Sequence, residues 1–489
     1  MFRTNKLNRL NLLTIWSKGW HTRCKNNRTK NWLGMREKTV MNSITAVPNT
    51  PSENALDELF KDINPALTSR QASFEASRCY YCYDAPCVKA CPSDIDIPSF
   101  IASIHNEDLE GAAKTIYSEN ILGGSCARVC PTEILCEQAC VRNDEAECAP
   151  VLIGLLQRHA TDQAEFSEHP ISRAPTTGKR IAVIGGGPAG LSCAHRLASL
   201  GHEVDVFEAQ SKAGGLNEYG IAKYKLTQNF AQKEVDFILG IGGITLHTNK
   251  ALGQDIHLED LSEKYDSVFL GIGLQGTRQL NLDGEDHPAV HNAVDFIKAL
   301  RQAKHTEDLS VPKKHAIVIG AGNTAIDIAC QLKRLGTEEV TLVYRRGTEQ
   351  MSATGHEQQI AKDHEVRIKT WSRPDALTFD DNNTLTSMTF VKTTLVDGKL
   401  TDTEETFTLP CEAVFKAVGQ TLVTPENEPG LPQVTSGKFQ VDASFLSSLA
   451  NVYVGGDCTT VGEDLTVEAV QQGKKAALAI HTALMSEEK

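Results

Sequence analysis

At 489 residues the chain has room for about two to four domains, each able to bury its own core. Its 40% hydrophobic and 23% charged composition, with 36 Gly and 18 Pro, excludes a disordered or collagen-like chain, and no apolar run reaches the roughly 18 residues of a membrane span. The net charge of −13 argues against a surface that tracks nucleic-acid phosphates, which needs clustered Lys and Arg.

The charge is uneven: residues 1–40 hold ten Lys or Arg and one acid, Glu37. Residues 1–45 therefore read as a basic extension outside the folded body. Leu10, Leu12, Leu13, Ile15 and Trp16, flanked by Lys6, Arg9 and Lys18, give it the look of a transit arm. The competing expectation is that translation starts at Met35 or Met41 and the arm is no part of the working protein.

Eight of the 14 cysteines fall between Cys79 and Cys140. They read Cys79-x2-Cys82-x4-Cys87-x3-Cys91-Pro92 and Cys126-x3-Cys130-Pro131-x4-Cys136-x3-Cys140. Soft thiolates suit tetrahedral iron, and this spacing is close to the ferredoxin run, so two 4Fe–4S clusters with crossed ligation are expected. Zinc prefers two Cys-x2-Cys pairs, and only one is present. Apolar residues three and four apart over Pro98–Ile104, Leu109–Ile116 and Ala149–Ala160 predict helices. Residues 50–165 thus read as a small α-helical iron–sulfur domain. The scattered cysteines (Cys24, Cys148, Cys193, Cys330, Cys411, Cys458) read as small buried hydrophobes.

Ile181–Ile184 is an apolar strand that runs into Gly185-Gly186-Gly187-Pro188-Ala189-Gly190 and a helix to Leu200. Gly185, Gly187 and Gly190 permit the tight turn, the approach of backbone to pyrophosphate, and helix–strand packing. A second strand, Glu203–Phe207, ends at Glu208, placed to hold a ribose 2′-hydroxyl. The pattern recurs as Ala316–Ile319, Gly320-Ala321-Gly322-Asn323-Thr324-Ala325, a helix to Leu335 and a strand Val340–Tyr344. There the terminal acid is replaced by Arg345-Arg346, which suits a 2′-phosphate and favours NADPH over NADH. FAD is therefore expected on the first unit and a nicotinamide on the second. Gly214-Gly215-Leu216, the strand Val268–Ile272, and Val454-Gly455-Gly456-Asp457 near the carboxyl end agree with an interrupted flavin domain. The expected fold is an α-helical two-cluster domain followed by two α/β Rossmann-like domains. FAD binds at 179–293 and 418–489, with an NAD(P)H domain at 294–417 inserted between.

These residues resemble flavoproteins that carry two dinucleotide-binding domains behind a two-cluster helical domain. Ala76-Ser77-Arg78-Cys79, Asp84-Ala85-Pro86-Cys87, Val129-Cys130-Pro131-Thr132 and Ile153-Gly154-Leu155-Leu156-Gln157 look like the amino-terminal half of dihydropyrimidine dehydrogenase and the small subunit of its bacterial NAD-dependent form. The glutamate synthase small subunit is a more distant likeness, since Thr132-Glu133-Ile134-Leu135-Cys136 departs from its pattern. The resemblance implies one cluster on Cys79, Cys82, Cys87 and Cys140, and a second on Cys91, Cys130, Cys136 and Gln157, with Cys126 as the rival fourth ligand. It implies flavin contacts at Pro188, Ala189, Gly215, Leu216, Lys225, Gly456, Asp457 and Thr466. Nicotinamide contacts are implied at Asn323, Thr324, Arg345, Arg346 and Ala417-Val418-Gly419. Two departures stand out: Ser352 replaces a further arginine of the phosphate loop, and Lys225 replaces an arginine near the flavin.

After Asp457 only a short tail remains, too little for the FMN barrel in which such enzymes reduce pyrimidine. The expected role is an electron-input subunit in a hetero-oligomer with an FMN-containing partner, in the cytoplasm, with no nucleic-acid or membrane partner. Hydride transfer needs positioning more than acid–base groups, so no nucleophile or general base is named, and His195 and His356 read as solvated helix faces. A disulfide reductase would need a Cys-x2-Cys near the flavin, and none follows Cys82. The alternatives are a glutamate synthase small subunit and a redox sensor or assembly protein that turns nothing over.

Overall fold

The computed structural model describes residues 55–145 and 149–486; the basic arm, Cys24 and Cys148 lie outside them. After α1 (Ala55–Leu59), the helical region comprises α2 (Ser69–Ala76), α3 (Pro86–Lys89), α4 (Ile97–His105), α5 (Leu109–Glu119), α6 (Gly123–Val129) and α7 (Ile153–Gln163), and no strand lies among its described residues. Each of the longer early helices starts at a side-chain cap. Thr68 and Gln71 form a reciprocal capping box on α2, Asp96 accepts from Ser99 N–H with Pro98 in the first turn of α4, and Asp108 accepts from Gly111 N–H on α5. Phe100, Ile101, Ile104, Ile116, Val151, Ile153 and Leu156 form the core, and Cys79, Cys87, Cys91 and Cys140 pack against its edge. A metal cluster there would add to that core.

Two parallel sheets follow. The first unit contains β1 (Arg180–Ile184), α8 (Pro188–Ser199), β2 (Glu203–Glu208), α9 (Leu216–Tyr219), α10 (Phe230–Leu239), β3 (Ile244–Thr248), α11 (Leu258–Lys264) and β4 (Ser267–Leu270). The chain then leaves through β5 (Gly276–Thr277) to β6 (Val290–Asn292), α12 (Ala293–Gln302), β7 (His315–Gly320), α13 (Asn323–Arg334), β8 (Glu339–Val343), α14 (Gly355–Asp363) and β9 (Arg367–Lys369). An antiparallel sheet of β10 (Ser372–Phe379), β11 (Leu385–Val396) and β12 (Lys399–Pro410) precedes β13 (Ala413–Ala417). The return strand β14 (Gln420–Thr421) pairs antiparallel with β5, so the chain enters and leaves the second unit side by side. The small ribbon β15 (Val434–Thr435) and β16 (Lys438–Phe439) leads to β17 (Val452–Val454) and the 21-residue α15 (Thr466–Ser486).

The sheet orders are β17-β4-β1-β2-β3 and β6-β13-β7-β8-β9. β17 completes the first sheet from beyond the second, which is what makes the nicotinamide-type unit an insertion. Every strand pair in both sheets is parallel, and their apolar strands are buried on both faces as doubly wound sheets require. The second sheet takes in β6 at Val290–Asn292, which pairs parallel with β13. The first helix also departs from the sequence expectation. Leu56 and Phe60 pack in the core of the second α/β unit with Tyr224, Ile326 and Leu332, and Arg334 donates to the carbonyls of Leu59 and Lys61. The first described residues thus form a strap across the far domain.

Candidate functional site

At both glycine turns the strand must reverse against a neighbouring strand's carbonyl. Gly185 has φ +102°, and a Cβ there would lie 2.3 Å from Gly271 O; Gly320 has φ +143°, and its Cβ would lie 2.1 Å from Ala417 O. Only glycine satisfies both limits. Gly187 and Gly322 then cap the starts of α8 and α13, whose first turns have no side-chain cap. Glu208 fixes the first turn: its carboxylate accepts from Gly186 N–H at 2.8 Å and Gln210 N–H at 2.7 Å. Burial pushes its carboxyl up, against the pull of those two hydrogen bonds.

A cavity of about 690 Å³ opens from this turn. Gly185, Gly187, Pro188, Ala189, Glu208, Gly215, Leu216, Lys225, Gly456, Asp457 and Thr466 line it from the first unit, and Asn323 and Thr324 from the second. The iron–sulfur region contributes Arg128, Cys130, Pro131, Thr132 and Glu133 to the same cavity. All three domains therefore meet at one space. Gly456, with φ +85°, lets the backbone pass Ala189, and its N–H is held by Gln472 Oε1 at 2.8 Å. Burial, reinforced by the Asp464 carboxylate, pushes the Asp457 carboxyl up to about 6.

At the seam between the two α/β units Lys225 is 9% exposed, with Asp327 of α13 at 2.7 Å and Glu357 of α14 at 2.8 Å. Burial alone would push the ammonium down; the two carboxylates more than reverse that and hold it above the ordinary lysine range. Tyr224 donates to Asp327 at 3.1 Å. Glu357 keeps a second oxygen, Oε2, that is buried and has no hydrogen-bond partner. Asp327 and Glu357 were not legible as site residues: Asp327 sits one turn beyond a familiar glycine loop, and no motif marks Glu357.

Gly190 packs behind the turn, while Gly320, Gly322, Arg345, Arg346, Ala417 and Gly419 lie outside the 690 Å³ cavity, along the strand ends of the second sheet. Arg345 and Arg346 follow β8, are exposed, and have no carboxylate partner among the described residues. Ser352 stands over the phosphate turn, its Oγ 3.3 Å from a Cβ built on Gly322. The two histidines read as solvated are corrected. His195 is 4% exposed, with its ring 5.2 Å from that of His169, and burial pushes it down to about 3; His356 lines the cavity.

The cysteines separate into two groups. Cys79, Cys82, Cys87 and Cys140 line a small cavity of about 30 Å³ walled by Ile97, Pro98, Ile101, Val151 and Ile153. Cys130 has Cys126, Cys91 and Cys136 as charged neighbours, and Cys136 also lies near Cys87, where the two groups approach each other. Burial is the main force pushing the Cys79, Cys87, Cys91 and Cys136 thiols up, whereas Cys130 is raised first by a hydrogen bond with Cys126 and then by burial. Thiolates in such surroundings call for a cationic centre. Among the described residues no three His, Cys, Asp or Glu side chains gather as they would around one ion. Gln157 is buried and donates its amide N–H to Gly123 O at 2.7 Å. Cys193, Cys330, Cys411 and Cys458 are buried and free, as small hydrophobes are.

Two family models match. Residues 56–169 match dihydropyrimidine dehydrogenase domain II, 4Fe-4S cluster, and residues 179–473 match pyridine nucleotide-disulphide oxidoreductase. The chain belongs to the pyridine nucleotide oxidoreductases that carry this iron–sulfur domain. It is 36% identical to the NAD-dependent dihydropyrimidine dehydrogenase subunit PreT of Escherichia coli K12, over 88% of this chain and 98% of that one. It is 32% identical to the glutamate synthase (NADPH) small chain of the same organism, over 86% and 92%. Among solved structures, Mycobacterium tuberculosis FprA in complex with NADPH aligns with a TM-score of 0.54 at 21% identity, over 64% of this chain and 86% of that one, a likeness of fold. The chain is an NAD(P)H-dependent flavin and iron–sulfur oxidoreductase, with FAD and 4Fe–4S clusters as its cofactors. No helix among the described residues is long and apolar enough to cross a membrane.

Proposed function

We propose that the chain is the electron-input subunit of a dihydropyrimidine dehydrogenase, oxidising NADPH or NADH in the cytoplasm and supplying an FMN-containing partner subunit that reduces uracil or thymine. The observation that carries the reading is the single cavity bounded by the flavin-type turn, the nicotinamide-type helix and Cys130. FAD held at the first turn would supply a hydride acceptor that can release electrons singly, and clusters held by the cysteines would supply one-electron carriers beside it.

The protein's own groups do the positioning. The first-turn N–H groups of α8 and α13 receive the two pyrophosphates, and Glu208, already fixed by two N–H donors, keeps lone pairs for a ribose hydroxyl. Asp457, on the cavity wall, would hold the ribityl side of the flavin, and Arg345 and Arg346, exposed after β8, would hold the adenosine phosphate. Lys225 ties the flavin unit to α13 and α14, fixing how the two dinucleotides face each other. One cluster is assigned to Cys79, Cys82, Cys87 and Cys140. The other takes Cys91, Cys130 and Cys136, with Gln157 or Cys126 as the fourth ligand.

The test is an anaerobic titration of the purified chain with NADPH and, separately, NADH, following flavin absorbance with iron assayed on the same sample. Bleaching within seconds and about eight iron atoms per chain are expected. Bound flavin that neither nucleotide reduces would overturn the enzyme reading and leave the sensor or assembly role. The glutamate synthase reading, favoured by the 32% identity above, is separated by whether a pyrimidine-reducing partner co-purifies.

A further inference from the structure

One turn of α15 holds two parts of the molecule at once. Gln472 accepts from Gly456 N–H at 2.8 Å on the cavity side, while Gln471 and Lys474, spaced to share one helix face, reach into the iron–sulfur domain. There they hold the loop that follows Cys91. Lys474 Nζ donates to the Ser93 carbonyl at 3.0 Å and pairs with Glu119 of α5 at 2.8 Å, and Gln471 Nε2 donates to Asp94 Oδ2 at 2.9 Å. The Ser93 hydroxyl adds a bond to the Val467 carbonyl at 3.4 Å. Ser93 and Lys474 are both buried. Asp94 sits in the left-handed region at φ +60°, a conformation that has to be held. The helix itself has no play: a Cβ at Gly473 would lie 2.1 Å from Ala189 O of α8.

What this clamp fixes is the direction of two backbone donors. Burial pushes the Cys91 thiol up, and the N–H groups of Ser93 and Ile95, which donate to it, pull it down. Hydrogen bonds to the sulfurs are among the factors that set an iron–sulfur potential, and because reduction adds negative charge, donors to a ligating thiolate favour the reduced state. We propose that Lys474 and Gln471 are positioning residues that raise the reduction potential of the cluster on Cys91, by clamping Ser93 and Asp94 so that the Ser93 and Ile95 N–H groups stay on the thiolate. Glu119 balances the ammonium, so Lys474 acts through the loop rather than as a distant charge. The same helix reaches the cofactor cavity at Thr466 and Ala469, so one rigid element holds both the cavity wall and the Cys91 loop. The proposal rests on the assignment of a cluster to Cys91.

The test uses the full chain with FAD and clusters in place, in an electrochemical titration read by electron paramagnetic resonance and carried down until both clusters are reduced. The signal that Cys91→Ser alters or abolishes identifies the cluster concerned. Lys474→Met should lower that cluster's midpoint by the equivalent of about 10-fold in its reduction equilibrium, about 59 mV for one electron, and leave the other cluster and the flavin within about twofold. Gln471→Leu changes no charge and should lower the same midpoint by about threefold or more, the worth of one hydrogen bond. Lys474→Arg, which keeps a charged donor, should restore most of the wild-type value. Iron is assayed on each variant, and loss of about four of about eight iron atoms with FAD retained is the same result in stronger form, the freed loop having released its cluster. A midpoint that neither Lys474→Met nor Gln471→Leu moves overturns the proposal, as does a shift shared by both clusters and the flavin. A shift in Lys474→Met without one in Gln471→Leu also overturns it, since the ammonium would then act by charge alone. A wild type holding only about four iron atoms overturns instead the two-cluster assignment on which the proposal rests.

Discussion

Replacing Lys225 with methionine isolates the interdomain latch. The ammonium sits 2.7 Å from Asp327 and 2.8 Å from Glu357, and its side chain is 8% exposed. Methionine fills most of its volume but leaves two carboxylates buried without a counter-charge, an arrangement that costs about 3–5 kcal/mol. The loss should depend on pH. In the wild type the lysine's folded pKa is raised, so its contribution is fully present below the ordinary lysine range and constant across pH 5–8. In Lys225→Met at least one of the two carboxyls has its folded pKa raised above the unfolded value. Stability is then retained where that group is protonated and lost as pH rises through the raised pKa. The gap between wild type and variant should therefore widen from pH 5.5 to pH 8. Lys225→Arg, which restores the guanidinium expected there from the resemblance, should stay within about 1.5 kcal/mol of wild type. Urea unfolding of the three proteins at both pH values, followed by the first transition, measures this. A Lys225→Met variant that unfolds with the wild type at pH 8 refutes the latch.

Other expectations follow from single contacts. A Cβ at Gly190 would lie 1.9 Å from Gly185 O, so Gly190→Ala should lose bound FAD on purification, read from the flavin absorbance ratio. Burial raises the Asp457 carboxyl from 3.8 to about 6, so its contribution to apo-protein stability is present below pH 4 and lost as pH rises through about 6. Asp457→Asn should therefore stabilise the apo form at pH 8 by up to about 3 kcal/mol and leave it unchanged near pH 4, measured by thermal melts. Replacing Arg345 and Arg346 together by alanine should raise the KM for NADPH about 10-fold or more and leave that for NADH within about twofold, by steady-state dye reduction. Cys126→Ala should keep about eight iron atoms if Gln157 completes the second cluster, and Gln157→Leu should then lower the count.

Much of the fold was legible because its signals are local. The strand starting at Ile181, its glycine turn and the acid at Glu208 form one continuous pattern, as do Ala316–Ile319, Gly320 and Gly322, and the structure places both patterns as parallel sheets with helices starting at the turns. The antiparallel sheet β10–β12 went unread although Asp397-Gly398 sits between two alternating runs, a hairpin signal. The strap of Leu56 and Phe60 could not be read, since its partners, Tyr224 and Leu332, are far along the chain. His195 misled for a related reason: periodicity says which helix face is apolar, and says nothing of a polar residue covered by a second element, here the His169 loop, whose ring stacks in turn on Phe237.

The candidate site divides along the same line. One part is made of glycine turns and strand ends, whose conformations are dictated by neighbouring residues, so the turns themselves can be read from the sequence. Its seam is made by Lys225, Asp327, Glu357 and Thr132-Glu133, which come from three domains and meet only when the domains are packed. Electron input requires that seam, because dinucleotide turns alone would bind two cofactors without fixing the distance between them. The contact of Glu133 with Thr354, joining the iron–sulfur domain to the cap of α14, ties the Cys130 loop to the helix that carries Glu357. A displacement of either domain therefore alters both the approach of the nucleotide and the path towards the clusters, which makes the three-domain packing, more than any one motif, the element on which the activity depends.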